Sequence, residues 1–188
     1  VSLAKLVAYL SCTSSEKIVY DCCSGSGALT IQKWSINPNL KFVCEELDEK
    51  VIPILLFNLC IRNIEATVIN KDILTRKVIC SYRTIKGSTY SSVQRLMFSE
   101  MELLKADVAI SNPPFNLKVP VSENIIKALP QKYTCNFAFV AHCLQRSERC
   151  ALILPRGVLT SKEEKECRRY FIEKGWLQAA ISLPEKMF

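Results

Sequence analysis

The chain has 188 residues, of which 49% are hydrophobic and 23% charged, and its formal net charge is +7. This composition excludes a disordered protein and is enough for one domain, over residues 1–188, with a buried core. The apolar runs are shorter than the roughly 20 residues that cross a bilayer, and the N-terminus has no secretory pattern, so we expect no membrane span and a cytoplasmic location.

Six short apolar runs, each followed by turn residues, predict strands. They are Lys17 to Asp21, Lys41 to Cys44, Ala66 to Asn70, Ala106 to Ser111, Cys150 to Pro155 and Leu177 to Leu183. Segments of helical spacing lie between most of them: Ala28 to Ser35, Glu49 to Arg62, Asn136 to Arg146 and Ser161 to Lys174. This alternation predicts an α/β fold, a doubly wound and mostly parallel sheet with helices on both faces. Ligands of such sheets bind beyond the carboxyl ends of the strands.

Two of the predicted helices carry boundary signals. Ser161 and Glu164 form a capping-box pair, and Gly175 stands where a left-handed C-cap is wanted. Pro53 conflicts with a helix that begins well before it, so that helix starts later or bends there.

Residues 73–99 contain no acidic residue. Their basic and aromatic residues are Arg76, Lys77, Arg83, Lys86 and Arg95, with Tyr82, Tyr90 and Phe98. Such a mixture is typical of a nucleic-acid surface. The segment also connects the third and fourth strands, where we expect a helix that covers the sheet, and the solvated face of that helix explains the same charges. Both interpretations stay open.

The cysteines and the histidine do not predict a metal site. No Cys-x-x-Cys pair occurs among the ten cysteines, which lie largely in apolar segments and are expected to pack as free thiols. His142 is the one histidine and lies in an apolar stretch, so it is interpreted as a structural core residue. We expect no metal.

A glycine-rich turn follows the first strand, from Asp21 through Ser24 and Gly25 to Gly27. Glycines permit positive φ and a close backbone approach to a ligand, and the helix that follows offers unpaired amide donors. The second strand ends near Glu46, which can accept hydrogen bonds from ribose hydroxyls, and the third ends near Asp72, which can accept from an adenine amino group. The three strand ends predict an adenosine site.

A dinucleotide is disfavoured as the ligand, because the dinucleotide-binding fingerprint has a glycine at the position of Thr30.

The fourth strand ends in Asn112, Pro113, Pro114 and Phe115. Prolines stiffen this strip and leave acceptors exposed. We expect the Asn112 side-chain oxygen and the Pro113 carbonyl to bind the two hydrogens of a planar amino group and to aim its lone pair at the methyl group of a sulfonium cofactor, which Asn112 also contacts. Phe115 can stack on the base that carries the amino group.

These motifs resemble the modification subunits of type I restriction-modification systems, within the N6-adenine DNA methylases. Besides the glycine turn, the similar segments are Ser111 to Lys118, Asn136 to Phe139, Leu152 to Leu159 and Ile181 to Phe188. The resemblance implies a Rossmann-like class I methyltransferase fold, S-adenosylmethionine as methyl donor and adenine in duplex DNA as acceptor. It also implies a specificity subunit and a restriction subunit as partners.

The chain departs from this family pattern at several points. Cys22 stands where the family more often has proline, and residues 145–149 lack the usual glycines. The family's helical N-terminal domain, its Thr-Pro segment over the cofactor and its final antiparallel strand are not found. We therefore expect a catalytic-core fragment that binds the cofactor weakly and turns over little by itself.

Two alternatives stay open. An enzyme with the same chemistry can act on a glutamine side chain in protein or on an RNA base, although Phe115 stands where protein-glutamine enzymes usually have tyrosine. A DNA-binding or assembly subunit with a silent cofactor pocket is the other alternative, and cofactor titration discriminates it.

Overall fold

In the computed structural model, which describes residues 2–97 and 105–184, seven strands form one sheet. The strands are β1 (Ile18–Asp21), β2 (Lys41–Glu46), β3 (Ala66–Asp72), β4 (Lys77–Ile85), β5 (Ser92–Leu96), β6 (Ala106–Ser111) and β7 (Ser147–Leu152). The helices are α1 (Leu3–Leu10), α2 (Ala28–Ile36), α3 (Ile52–Cys60), α4 (Glu123–Ile126), α5 (Cys135–Arg146), α6 (Gly157–Thr160) and α7 (Lys165–Glu173).

The sheet order is β5-β4-β3-β2-β1-β6-β7. The neighbouring pairs β3-β2, β2-β1, β1-β6 and β6-β7 are parallel. Strand β1 is the turning point, because the chain builds outward from it through β2 and β3 and then returns to its other side with β6. Asp21, the last residue of β1, lies opposite Cys44 of β2 and Ile110 of β6. A crevice at the carboxyl ends of β1 and β6 is where such a sheet binds its ligand. The predicted doubly wound fold is confirmed.

Helices cover both faces of the sheet. On one face a buried cluster includes Val7 of α1, Leu29 of α2 and Leu55 of α3. On the other face Phe137 of α5 and Phe171 of α7 belong to a second cluster. No helix in the described part of the chain is both long and apolar enough to cross a membrane.

The predicted helices form, with changes at their ends. Helix α3 begins at Ile52, so Pro53 lies in its first turn, where a missing backbone donor costs little. Half of the predicted capping box forms: the Ser161 hydroxyl accepts from the Glu164 amide at 3.4 Å, although the last helix begins only at Lys165. The Glu164 carboxylate binds other side chains instead of capping back onto Ser161. Gly175 has φ +68°, so the left-handed C-cap is confirmed.

The covering helix expected between β3 and β6 is not found in residues 73–97, the described part of that connection, because residues 77–96 form the antiparallel hairpin of β4 and β5. Strand β4 alternates in burial and is rich in β-branched and aromatic residues, which suit a pleated surface. Its buried Thr84 hydroxyl donates to the Ile64 carbonyl and accepts from the Ala66 amide, each at 2.7–2.8 Å. Phe98 and Ser99 lie outside the described residues.

The strand predicted for Leu177 to Leu183 is also wrong, since residues 177–184 are irregular. Within the described residues the sheet ends at β7, and the apolar run does not pair with that edge strand. The strand predicted at Cys150 to Pro155 lies three residues earlier, because α5 runs straight into β7 at Ser147. The Ser147 hydroxyl bridges this junction by donating to the Cys143 carbonyl at 2.7 Å.

A buried ion pair fastens α2 to the segment between α1 and β1. The Lys33 ammonium lies 2.8 Å from the Glu16 carboxylate, and the two side chains are 0% and 3% exposed. Lys41 and Glu65 form a pair at nearly the same distance, 2.9 Å, but on the surface, with the side chains 62% and 37% exposed. The two pairs therefore have nearly the same distance between the charged atoms and differ in how far their side chains are buried.

We predict that Lys33→Met lowers the free energy of unfolding by about 3 kcal/mol, because it leaves the Glu16 carboxylate buried without a cation. The matched variant Lys41→Met should lower it by less than about 1 kcal/mol. Urea denaturation measures both variants. Equal losses in the two variants would contradict the importance of burial.

Candidate active site

The glycine turn forms a cradle between β1 and α2. Gly25 and Gly27 have φ +52° and +93°, values that side chains rarely allow. A Cβ on Gly27 would lie 2.9 Å from the Leu55 side chain, so the backbone here sits close against α3. Ser24 shapes the turn itself, because its hydroxyl donates to the Asp21 carbonyl at 2.8 Å. The turn thus presents backbone to a ligand, and α2 begins directly behind it.

Glu46 reaches this cradle from the end of β2. One carboxylate oxygen accepts from the Gly25 amide at 2.8 Å and the other from the Asp48 amide at 2.9 Å. The side chain is half-buried, so its remaining lone pairs face accessible space. Its neighbour Glu45 is fully buried and turned into the core. Glu46 therefore stays the proposed ribose ligand.

Asp21 lies beneath the cradle as a buried acid. The Thr30 hydroxyl donates to its Oδ2 at 2.9 Å, while Oδ1 has no partner among the described residues. Burial, with a smaller contribution from Cys22, raises the pKa of the Asp21 carboxyl to about 8. The carboxyl therefore keeps its proton at neutral pH, and positive charge brought close by a ligand favours its ionised form.

Asp72 is the last residue of β3, the strand that pairs with β2. Its Oδ1 accepts from the Leu74 and Thr75 amides at 3.0 and 3.2 Å, and the other oxygen has no hydrogen-bond partner in the described ranges. The side chain is half-buried. One oxygen thus holds the turn after β3 while the second is available to a ligand.

Sequence reasoning missed a buried network under the cradle. The Glu45 carboxylate lies 2.9 Å from the Lys71 ammonium and accepts from the Tyr20 hydroxyl at 2.7 Å. The Tyr20 oxygen in turn lies 2.6 Å from His142 Nε2, so the structural role expected for His142 includes a polar contact. Burial raises the pKa of Glu45, but hydrogen bonding to His142 and the Lys71 charge outweigh it and lower that pKa to about 2. These partners come from β3, β1 and α5, and no local pattern predicts their meeting.

The proposed catalytic strip stands beside the cradle at the end of β6. Asn112 and Pro114 are exposed, Phe115 is 38% exposed and Pro113 is buried. The four residues line an open depression of about 240 Å³. The Asn112 amide has no hydrogen-bond partner among the described residues. Its acceptor is therefore accessible to a substrate.

These residues fit an adenosyl sulfonium cofactor. The turn leaves open space beside Gly25, Glu46 and Asp72 keep free acceptor positions, and Asp21 Oδ1 is buried without a partner among the described residues. Thr30 is fully buried where a dinucleotide fingerprint has its third glycine. Within the described residues no three His, Cys, Asp or Glu side chains are grouped to hold a metal ion, and the expectation of no metal stays a prediction.

Comparison with known families decides the assignment. A family model described as N-6 DNA Methylase matches residues 1–188. The chain belongs to the N-6 DNA methylase family. The predicted membership of the N6-adenine DNA methylases is thus confirmed, and the departures at Cys22 and residues 145–149 are variations within this family.

Two relatives of this chain carry type I names. It is 25% identical over 208 residues to the methylase subunit of the type I restriction enzyme MjaVIII from Methanocaldococcus jannaschii, a match that covers 100% of this chain and 33% of that protein. The structure of a type I restriction-modification methyltransferase subunit from Streptococcus thermophilus matches with a TM-score of 0.67 and 21% identity, over 92% of this chain and 38% of that one.

A more distant structural match is a SAM-dependent O-methyltransferase from Thermotoga maritima, with a TM-score of 0.51 and 12% identity over 90% of this chain and 48% of that one. At these identities the structural matches show the fold alone. The N-6 DNA methylase chain spans about a third of the length of the curated relative.

The basic residues of the hairpin do not share one face. Arg95 lies opposite Tyr82 in the ladder and Arg83 lies opposite Gln94. Because Tyr82 and Arg83 are consecutive in β4, the two arginines point to opposite sides of the sheet. Lys86 donates to the Pro38 carbonyl at 3.2 Å. This distribution favours solvated faces over a single nucleic-acid surface on the hairpin.

We predict that Gly27→Ala in this N-6 DNA methylase lowers the free energy of unfolding by about 2–4 kcal/mol, through the positive φ and the contact with Leu55. The matched variant Gly25→Ala has open space around its Cβ and should lose only about 1–2 kcal/mol. Thermal or urea unfolding of both variants is the measurement. A larger loss at Gly25 would contradict the close packing of the cradle on α3.

The raised pKa of Asp21 predicts a pH dependence of stability. The folded chain keeps a proton up to about pH 8 that the unfolded chain releases near pH 4. The free energy of unfolding contributed by this group is therefore fully present below about pH 4 and declines as pH rises towards 8. Asp21→Asn should remove this decline. Urea denaturation between pH 5 and 8 gives the slope of the unfolding free energy against pH for the wild type and for Asp21→Asn. Equal slopes in the two proteins would contradict the buried protonated carboxyl.

Proposed function

We propose that this chain carries the catalytic site of an S-adenosylmethionine-dependent methyltransferase that methylates the N6 amino group of adenine in DNA. The observation that carries the proposal is the strip from Asn112 to Phe115, with Asn112 and Pro114 exposed, next to the glycine cradle at the carboxyl ends of the parallel strands β1 and β6. The family assignment supports the same chemistry.

The cradle and three acids hold the cofactor in this proposal. The backbone of the turn from Ser24 to Gly27 lies against it, while the Ser24, Gly25 and Gly27 amides donate within the protein. Glu46 accepts from its ribose hydroxyls and Asp72 accepts from its adenine amino group. Burial keeps the Asp21 carboxyl under the cradle protonated at neutral pH, and a cationic ligand beside it favours the ionised form. The bound cofactor supplies an electrophilic methyl group on its sulfonium sulfur.

The strip holds the target amine. A purine amino group is a weak nucleophile because its lone pair is delocalised into the ring. The Asn112 side-chain oxygen and the Pro113 carbonyl accept its two hydrogens, which favours the tetrahedral form and directs the lone pair. Pro113 and Pro114 fix φ, so these acceptors are held in place before the substrate arrives. Phe115 stacks on the base after it has left the duplex.

The whole protein is proposed to be the modification subunit of a type I restriction-modification system. Its methylase relatives with type I names support this, and in such a system a specificity subunit selects the DNA sequence and a restriction subunit completes the complex. Residues 1–188 are proposed to form a single catalytic domain of this subunit. The cytoplasmic location and the weak activity of the 188-residue piece alone remain predictions that go with this proposal.

Labelled methyl transfer tests the acceptor. We expect the full-length protein, together with its specificity subunit, to label adenine N6 in duplex DNA. Labelling of RNA or of a protein glutamine instead would overturn the choice of substrate. No cofactor binding by calorimetry would favour a silent assembly subunit.

We predict that Asn112→Ala lowers kcat for DNA methylation by at least about 100-fold, because one of the two acceptors for the amino group is lost. The Kd of the cofactor should change much less. Asn39→Ala, at an exposed asparagine before β2, is the matched control and should leave kcat unchanged. Full activity of Asn112→Ala would contradict the role assigned to the strip.

A further inference from the structure

We propose that Asn136 is a positioning residue that clamps the turn directly after the catalytic strip, with Glu164 as its support. The inference deepens the proposed methyltransferase function and rests on it. Asn136 lies in the first turn of α5 and does not line the depression formed by the strip. It acts through Asn116.

The clamp consists of two hydrogen bonds from one side-chain amide. Asn136 Oδ1 accepts from the Asn116 backbone amide at 3.1 Å, and Asn136 Nδ2 donates to the Asn116 side-chain oxygen at 3.2 Å. Asn116 has φ +55°, a left-handed conformation that residues other than glycine adopt at some cost. Asn136 thus stabilises the conformation that turns the chain immediately after Phe115.

Glu164 fixes the orientation of the clamp. Its Oε1 accepts from Asn136 Nδ2 at 2.7 Å, and its Oε2 accepts from the Thr134 hydroxyl at 2.6 Å. Both Asn136 and Glu164 are 4% exposed. Because an ionised carboxylate only accepts, the nitrogen of the Asn136 amide must face Glu164 and its oxygen must face the Asn116 amide. These hydrogen bonds allow only one orientation of the Asn136 side-chain amide.

The strip is therefore held at both ends. At its start the Ser111 carbonyl accepts from the Ile153 amide at 3.0 Å, beside β7. At its end Asn136 holds Asn116, and the two prolines stiffen the residues between. Loss of the clamp frees the end that carries Phe115 and the Pro113 carbonyl. A misplacement of about 1 Å can cost about 100-fold in rate.

A reversal of the hydrogen-bond polarity tests the clamp. In Asn136→Asp the new carboxylate faces the Glu164 carboxylate and loses both amide donors, so we expect kcat of the full-length protein with its specificity subunit to fall about 10- to 100-fold. The Kd of the cofactor should stay within about twofold. Glu164→Gln combined with Asn136→Asp restores a donor and an acceptor in reversed positions and keeps the net charge. This double variant should recover kcat to within about threefold of the wild type.

Two controls separate positioning from folding. Asn124→Asp adds the same charge at an exposed residue of α4 and should leave kcat unchanged. Hydrogen exchange of the Asn116 amide should speed up in Asn136→Asp and slow again in the double variant. Asn136→Ser, which adds no charge, should show the same loss of kcat if Asn136→Asp does not fold.

Three outcomes would overturn the proposal. They are an unchanged kcat in Asn136→Asp or Asn136→Ser, an Asn116 amide whose exchange does not respond, and a double variant that regains its Tm but not its kcat. If the wild-type complex does not methylate adenine in DNA, the proposed function fails by itself. The exchange of the Asn116 amide then still decides whether the clamp exists.

Discussion

The arrangement of the site depends on the compensation of one buried charge, the carboxylate of Glu45. A carboxylate removed from water costs several kcal/mol unless other groups satisfy it. Lys71, Tyr20 and, through Tyr20, His142 do so, and they come from β3, β1 and α5. The Glu45 carbonyl also accepts from the Ser24 amide at 3.1 Å, which ties the glycine turn to β2. Compensation of this charge therefore fixes the strand ends relative to one another.

Helix α5 joins the two halves of the site. Its His142 contacts the network under the cofactor cradle, and its Asn136 contacts the turn after the strip. Cys22, in the cradle, adds a third link, since its sulfur lies 3.2 Å from the Ser111 hydroxyl and 3.5 Å from the Cys143 sulfur. Methyl transfer needs the donor and the amine aligned, and one rigid helix bonded to both sides supplies that alignment.

The sequence predicts those parts of the molecule whose signals are local. Periodicity and turn residues give the parallel strands, and the glycine turn and the proline strip give the candidate site. Two predictions fail for different reasons. The helix expected within residues 73–99 comes from what the neighbouring strands require, and the strand at residues 177–183 comes from an apolar run alone. A local pattern does not contain the pairing partners that decide either case. Glu164 looked like a cap, yet its carboxylate binds Asn136 and Thr134, 28 and 30 residues away. Such long-range polar contacts arise only when the chain is folded.

The β4–β5 hairpin occupies the edge of the sheet farthest from β6, with β3 and β2 between it and the turning point at β1. The start of β4 lies opposite Asp72, but its end lies opposite Ala66, at the other end of the sheet. The turn of the hairpin, residues 86–91, is consequently where insertions and new surface contacts stay away from the proposed site. An engineer who wishes to attach a reporter or a new binding segment to the fold would begin at the same hairpin.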